Sequence, residues 1–319
     1  MRRHNHTMFN MKRVFILIGI IISGCLLSVN AQTRADVNFL VVSDLGNYGG
    51  DDQPIVAESL GQVAYNFGPT AILNLGDTFH YWGVQSVDDP SWNNNFEAIY
   101  THPALYNLWY SVLGNHDYQG NTQALIDYTD RSRRWNLPER YYTKKFKRGD
   151  TTVDVIFLDT TPMLRRARNN PETYPDAQVQ DTTAQIQWLR RALAQADGDW
   201  VIVAAHHPLF SERDDTSFQR ADVNAHLGLA LASRRPDLYI NGDLHGFEHI
   251  KRPGDTTDYV TCTSGSRAFD IPVGENTKYA SGYPGFISMA FDKKKVTVIM
   301  HGRDGRELYR FTKEKENNR

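Results

Sequence analysis

Cysteine is scarce, with two residues in 319, so a disulfide-stapled framework is excluded. Excess positive charge is missing too. The 35 Lys and Arg stand against 37 Asp and Glu, a formal net charge of −2, which argues against nucleic acid as the main partner. No repeat or low-complexity tract occurs. At 40% hydrophobic and 23% charged residues, the composition excludes a disordered or fibrous chain and allows one large core or two small ones.

The longest apolar run lies within the first 31 residues. There "MKR" from Met11, "VFILIGIIISG" and "VNA" ending at Ala31 read as the basic, hydrophobic and small-residue parts of a secretory signal. The run is too short to cross a bilayer in the mature chain, so no transmembrane helix is expected. "ISGC", ending at Cys25, also fits a lipoprotein cleavage site and hence a lipid anchor. The ordinary signal is the favoured reading, because lipid anchors usually precede a polar tether and "LLSVNAQ" runs almost straight into a strand. Cleavage after Ala31 removes Arg2, Arg3, Lys12 and Arg13 and takes the net charge from −2 to −6. It leaves Cys262 as the sole cysteine of a secreted or periplasmic chain. Residues 32–319 then read as a single domain, since no boundary divides them.

From Val37 onward, short runs rich in Val, Ile, Leu and Phe end repeatedly in Asp, Asn, Gly or His: "VNFLVVS", "TAILNL", "LWYSVL", "TVDVIFL", "WVIVAA" and "DLYIN". Helical segments over Gln53 to Phe67, Thr183 to Ala196 and Ser217 to Ser233 separate several of them, the pattern of a mixed α/β fold with buried strands. The later runs "DYVTCTS", "FISMAF" and "KVTVIMH" follow without helices between them and suggest a second, partly antiparallel sheet. Thr161 to Asp181, rich in Pro, Asn and Arg, reads as an exposed excursion.

Loops at the carboxyl ends of strands converge, so ligands of α/β sheets collect there. Five such ends carry metal-ligand residue types: "SDLG" at Asp44, "GDTFH" at Asp77 and His80, "GNHD" at Asn115, His116 and Asp117, "AAHHP" at His206 and His207, and "GDLH" at Asp243 and His245. Singly, each has a bland reading as a turn former, a capped turn or a hydrogen-bonded core histidine. Five in succession make a shared metal site the better reading.

In this order the motifs resemble the calcineurin-like metallophosphoesterases. "NLGDTFHYWGVQSVDD", "VLGNHDYQGNTQALIDY", "RWNLPERYY" and "AQIQWLRRAL" are similar to the small tartrate-resistant, purple acid phosphatases, over about Val37 to His301. The resemblance implies a four-layer α/β/β/α sandwich, two facing mixed sheets flanked by helices, with two metal ions at the strand ends. It implies Asp44 and His245 at the first ion, Asp77 bridging both, Asn115 and His206 at the second, and His116 beside the phosphate. Asp117 is expected to hold the His116 ring, and His207, where the family has tyrosine, to contact substrate or else to support a neighbouring ligand or lie at the surface.

Two positions depart from the family pattern. His80 stands where purple phosphatases carry the tyrosine that colours their ferric ion, and Asp243 stands where a second-site histidine belongs. Asp44, Asp77 and Asp243 keep the ligand charge at −3 while moving one anion from the first site to the second. Hard anionic oxygen favours a trivalent ion. The expectation is therefore two ions drawn from iron, zinc, manganese or another divalent metal, with no ferric-tyrosinate centre. Sharing a bridging carboxylate, two such cations would activate hydroxide for in-line attack on a small phosphorylated substrate, with His116 stabilising phosphate or protonating the leaving group. The leading function is an exported phosphomonoesterase. A phosphodiesterase or nucleotide hydrolase would share the core, and a non-catalytic metal- or phosphate-binding relative is the alternative from another class.

Overall fold

The structure, a computed structural model, describes residues 37–46 and 49–315. The signal segment, its cleavage after Ala31 and a lipid anchor at Cys25 lie outside the described residues. Among the described residues no helix is long and apolar enough to cross a membrane.

In chain order the elements are β1 (Val37–Val42), α1 (Gln53–Phe67), β2 (Ala71–Asn74), β3 (Trp109–Ser111), α2 (Thr122–Asp127), β4 (Trp135–Asn136), β5 (Tyr142–Arg148), β6 (Thr151–Phe157), α3 (Arg165–Arg168) and α4 (Thr182–Gln195). There follow β7 (Trp200–Ala204), α5 (Ser217–Ser233), β8 (Leu238–Asn241), β9 (Phe247–Ile250), β10 (Asp258–Thr261), β11 (Thr277–Ser281), β12 (Gly285–Phe291), β13 (Lys295–Gly302) and β14 (Glu307–Glu314). The helices start and stop on local signals. Pro54 opens α1 and Gly68 closes it in the left-handed region at φ 64°, while the Asp181 side chain accepts from Ala184 N at 2.9 Å and caps α4.

The strands form two seven-stranded sheets, in the orders β14-β13-β12-β1-β2-β3-β4 and β11-β9-β10-β8-β7-β6-β5. Each holds a parallel triplet, β1-β2-β3 in one and β6-β7-β8 in the other. These triplets are buried on both faces almost throughout, as their unbroken apolar runs require. The sheets face each other across an aromatic seam: Phe39 of β1 lies 4.8 Å from Phe146 of β5, and Trp200 of β7 lies 5.8 Å from Phe291 of β12. Helix α1 packs on the first sheet through β12, and α4 packs on β6 of the second and against α5.

The expected second sheet is corrected in its membership. "FISMAF" and "KVTVIMH", here β12 and β13, extend the first sheet because β12 pairs antiparallel with the free edge of β1. "DYVT", here β10, pairs parallel with β8 in the other sheet. The stretch 161–181 is corrected as well. Met163, Leu164, Ala167 and Ala177 are fully buried, so apolar anchors pin a polar surface segment onto the body.

Candidate metal centre

The two parallel triplets place their carboxyl ends at one edge of the sandwich, and all five motif loops leave from there. The backbone at this edge is unusual. Asp44, Asp77, Asp243 and His245 have φ between 50° and 68°, a left-handed region that residues with a Cβ seldom occupy and that clusters at functional sites. Two glycines let the carboxylates in. A Cβ on Gly114 would overlap Asp77 Oδ1, and one on Gly242 would overlap Ser43 Oγ.

Three of the motif histidines tie Nδ1 to a main-chain oxygen. His206 Nδ1 lies 2.7 Å from Leu75 O, His245 Nδ1 2.9 Å from Arg267 O, and His116 Nδ1 2.9 Å from Tyr81 O. Donation there leaves each Nε2 free to act as a ligand or to meet substrate. His206 Nε2 then stands 3.3 Å from Asp77 Oδ2, and His245 Nε2 stands 3.2 Å from Asp44 Oδ1. The carboxylates are fixed from their other oxygens: Asp44 Oδ2 accepts from Ser43 Oγ at 2.6 Å and from Asp243 N at 3.1 Å, and Asp77 Oδ1 accepts from His116 N at 2.7 Å.

Potential ligand atoms gather in four overlapping triads, each within 4.8 Å: Asp44, His80 and His245; Asp77, His80 and His116; Asp44, Asp77 and His206; His206, His207 and Asp243. Asn115 borders the last of these, its Oδ1 lying 3.2 Å from both His207 Nε2 and Asp243 Oδ1. Asp77 links the groups, so the geometry is that of two adjoining cation sites with a common carboxylate.

The residues present fit such ions. Asp44 Oδ1, both ring nitrogens of His80, His206 Nε2 and Asp243 Oδ2 are buried without a hydrogen-bond partner, a costly arrangement that a bound cation relieves. Asn115 makes the same point. Turning its amide would donate to Asp243 Oδ1 and His207 Nε2, whereas oxygen inward gathers acceptors around one spot, as coordination needs. Burial takes His80 down to about 4, and burial together with His206 holds His207 well below the usual imidazole range, so both rings are neutral and able to ligate. Burial also pushes Asp243 up, to about 6.

Two sequence expectations change here. Asp117 does not hold the His116 ring. Its Oδ2 accepts from Asp77 N and Gly114 N, both at 2.9 Å, so it braces the backbone of two motif loops. Tyr81 O orients His116 by accepting from its Nδ1. His207 is fully buried and faces Asn115 and Thr160 rather than the opening. Sequence reasoning missed Ser43, Tyr81 and Thr160. Ser43 alone carried a signal, as a hydroxyl beside the first carboxylate.

Fold and site together define a two-metal hydrolase. The family model described as calcineurin-like phosphoesterase matches residues 37–247, a span holding every motif above. Purple acid phosphatase 7 of Arabidopsis thaliana is 32% identical over 295 residues, 88% of this chain and 87% of that protein. Tartrate-resistant acid phosphatase type 5 of Mus musculus is 30% identical, covering 80% of this chain and 81% of its own. Among solved structures, GAP50, described as the anchor in the inner membrane complex of Plasmodium, aligns with a TM-score of 0.76 at 22% identity, over 89% of this chain and 90% of that one; this shows the fold. The chain belongs to the calcineurin-like phosphoesterase family. It is a metal-dependent phosphoric ester hydrolase of the acid phosphatase-like kind.

Proposed function

We propose that the chain is an exported two-metal phosphatase acting on small phosphate monoesters. The observation that carries this reading is the shared Asp77 carboxylate between two buried ligand groups, with the half-exposed His116 beside it. In the proposed arrangement Asp44, His80 and His245 hold the first cation, Asn115, His206 and Asp243 the second, and Asp77 both. Two bound cations supply Lewis acidity toward phosphate oxygens and bring the pKa of a bound water near neutrality. The chain's own groups do the rest. Donation from His116 Nδ1 to Tyr81 O leaves Nε2 to meet phosphate or to hand a proton to the leaving oxygen. Asp77 Oδ1, accepting from His116 N, keeps that histidine in register with the bridging carboxylate.

His80 falls in the triad with Asp44 and His245, and Asp243 in the triad with His206. This supports the exchange of an anion from the first site to the second at constant charge. Carboxylate, amide and imidazole donors without a phenolate suit divalent iron, zinc or manganese. Export rests on the signal-like composition of residues 1–31.

The rim supports an aromatic or planar leaving group. Tyr81 is 49% exposed with its ring 5.6 Å from His116, and Phe269 is 41% exposed and stacked 5.7 Å from His245. Turnover of p-nitrophenyl phosphate against bis(p-nitrophenyl) phosphate by the metal-loaded protein tests the proposal. Monoester preference is expected. Diester preference would overturn the substrate class, and no turnover with both ions bound would make the chain a binding protein.

A further inference from the structure

We propose that His207 is a ligand of the second cation, joining Asp77, Asn115, His206 and Asp243; this rests on the two-cation reading above. The ring is fully buried, which excludes contact with substrate at the opening. Its Nδ1 lies 2.8 Å from Thr160 Oγ1, and its Nε2 points inward, 3.2 Å from Asn115 Oδ1 and 4.0 Å from Asp243 Oδ1. Donation from Nδ1 to the threonine oxygen gives His207 the same tautomer as His206 and His245: one nitrogen tied back and the other free to ligate.

Donor spacing supports the same conclusion. His206 Nε2 lies 3.3 Å from Asp77 Oδ2 and 3.8 Å from Asp243 Oδ1, and the oxygens of Asn115 and Asp243 are 3.2 Å apart. Ligands bonded to one ion at about 2.1 Å stand roughly 3.0–3.5 Å apart as neighbours and about 4.2 Å apart when opposite. The measured separations, 3.2 to 4.0 Å, fall in that interval. The donors of His206, His207 and Asp243 lie within 4.8 Å of one another, with Asn115 Oδ1 beside His207 and Asp243 and with Asp77 reached through His206, so two imidazoles serve this group. His207 gives the second cation the second imidazole that Asp243, a carboxylate, does not provide, which favours nitrogen-loving zinc or divalent iron there.

The alternative is that Nε2–H donates to Asn115 Oδ1, making His207 a positioning residue. Cadmium-113 NMR of the reconstituted protein, with second-ion affinity measured by chelator competition, separates the two. His207→Gln is expected to weaken the second cadmium by about 10–100-fold, leave the first unchanged and shift only the second resonance. His207→Cys is expected to restore affinity and move that resonance strongly downfield, toward thiolate ligation. Loss of affinity in His207→Gln without a shift, or no change in either quantity, would overturn the ligand assignment. A wild-type protein binding fewer than two cadmium ions would instead overturn the two-cation reading itself.

Discussion

Among the described residues, two buried clusters of carboxylate and imidazole are finished differently. On β9, β10 and β14, Asp258 Oδ1 pairs with His249 Nε2 at 3.0 Å, while Oδ2 accepts from Lys251 Nζ at 3.0 Å and Lys313 Nζ at 2.8 Å. His249 Nδ1 is met in turn by Tyr309 Oη at 3.0 Å. At the carboxyl edge, Asp44, His80, His206 and Asp243 keep buried atoms with no hydrogen-bond partner. Among the described residues, the basic side chains within 4.0 Å of its carboxylates are histidines alone. The chain brings its own cations to Asp258 and brings no lysine or arginine within 4.0 Å of Asp77 among the described residues. A closed cluster of this composition is structural, and an open one on strained backbone is built for a ligand.

The contrast is sharpest when each cluster is broken. Asn115→Ala and His206→Ala should each cost the second ion and lower turnover about a thousandfold, the several kcal/mol that one cation contributes to phosphoryl chemistry, with little loss of fold. Elemental analysis beside steady-state kinetics checks this, and full occupancy in either variant would show the residue misplaced. His116→Ala should lower kcat about a hundredfold while both ions stay bound; parallel losses of metal and kcat would make it a ligand instead.

Asp258→Asn should behave in the opposite way, destabilising the fold by about 3 kcal/mol with metal content and kcat unchanged. The figure sits at the low end because Lys251 remains a third exposed. Burial opposes the charge on Asp258, yet His249 and Lys313 hold its carboxyl well below the usual range. A depressed folded pKa stabilises above the unfolded value, near 3.9, and that stability is lost as pH falls through the folded one. Urea midpoints of wild type and variant should therefore differ by a constant amount from pH 5 to 8 and converge only in strong acid. Convergence near neutrality would contradict the pairing.

The smallest expected effect is a colour. His80→Tyr should bring a phenolate to the first site and, after reconstitution with iron, a visible band that the wild type lacks. Asp243→His should loosen metal, and the double variant should recover it beyond the sum of the singles. Additive losses would show that the two positions are not linked.

That the candidate residues converge was legible because each strand announces its end with a polar motif, and parallel strands must end at the same edge. Sheet membership was not, since β1 takes β12 as a neighbour some 250 residues away and nothing local in "FISMAF" records it. The part played by Asp117 was hidden for a similar reason: its partners are the main-chain N–H groups of Gly114 and Asp77, and sequence spacing next to His116 suggested a contact that folding does not make. In sequence, His207 reads as a residue that could contact substrate because it stands where the family has tyrosine. The chain bends beyond the end of β7, and His207 faces Thr160 and Asn115 instead.

The central claim is that the unpartnered cluster around Asp77 holds two cations on which turnover depends. Stepwise return of zinc and iron to the chelator-stripped protein, with ion content and p-nitrophenyl phosphate turnover followed together, tests it most directly. Two ions per chain are expected, with turnover rising with the second and about 2.7 kcal/mol of added stability per ion at a hundred times its dissociation constant. Full turnover in the stripped protein, or saturation at a single ion, would contradict it.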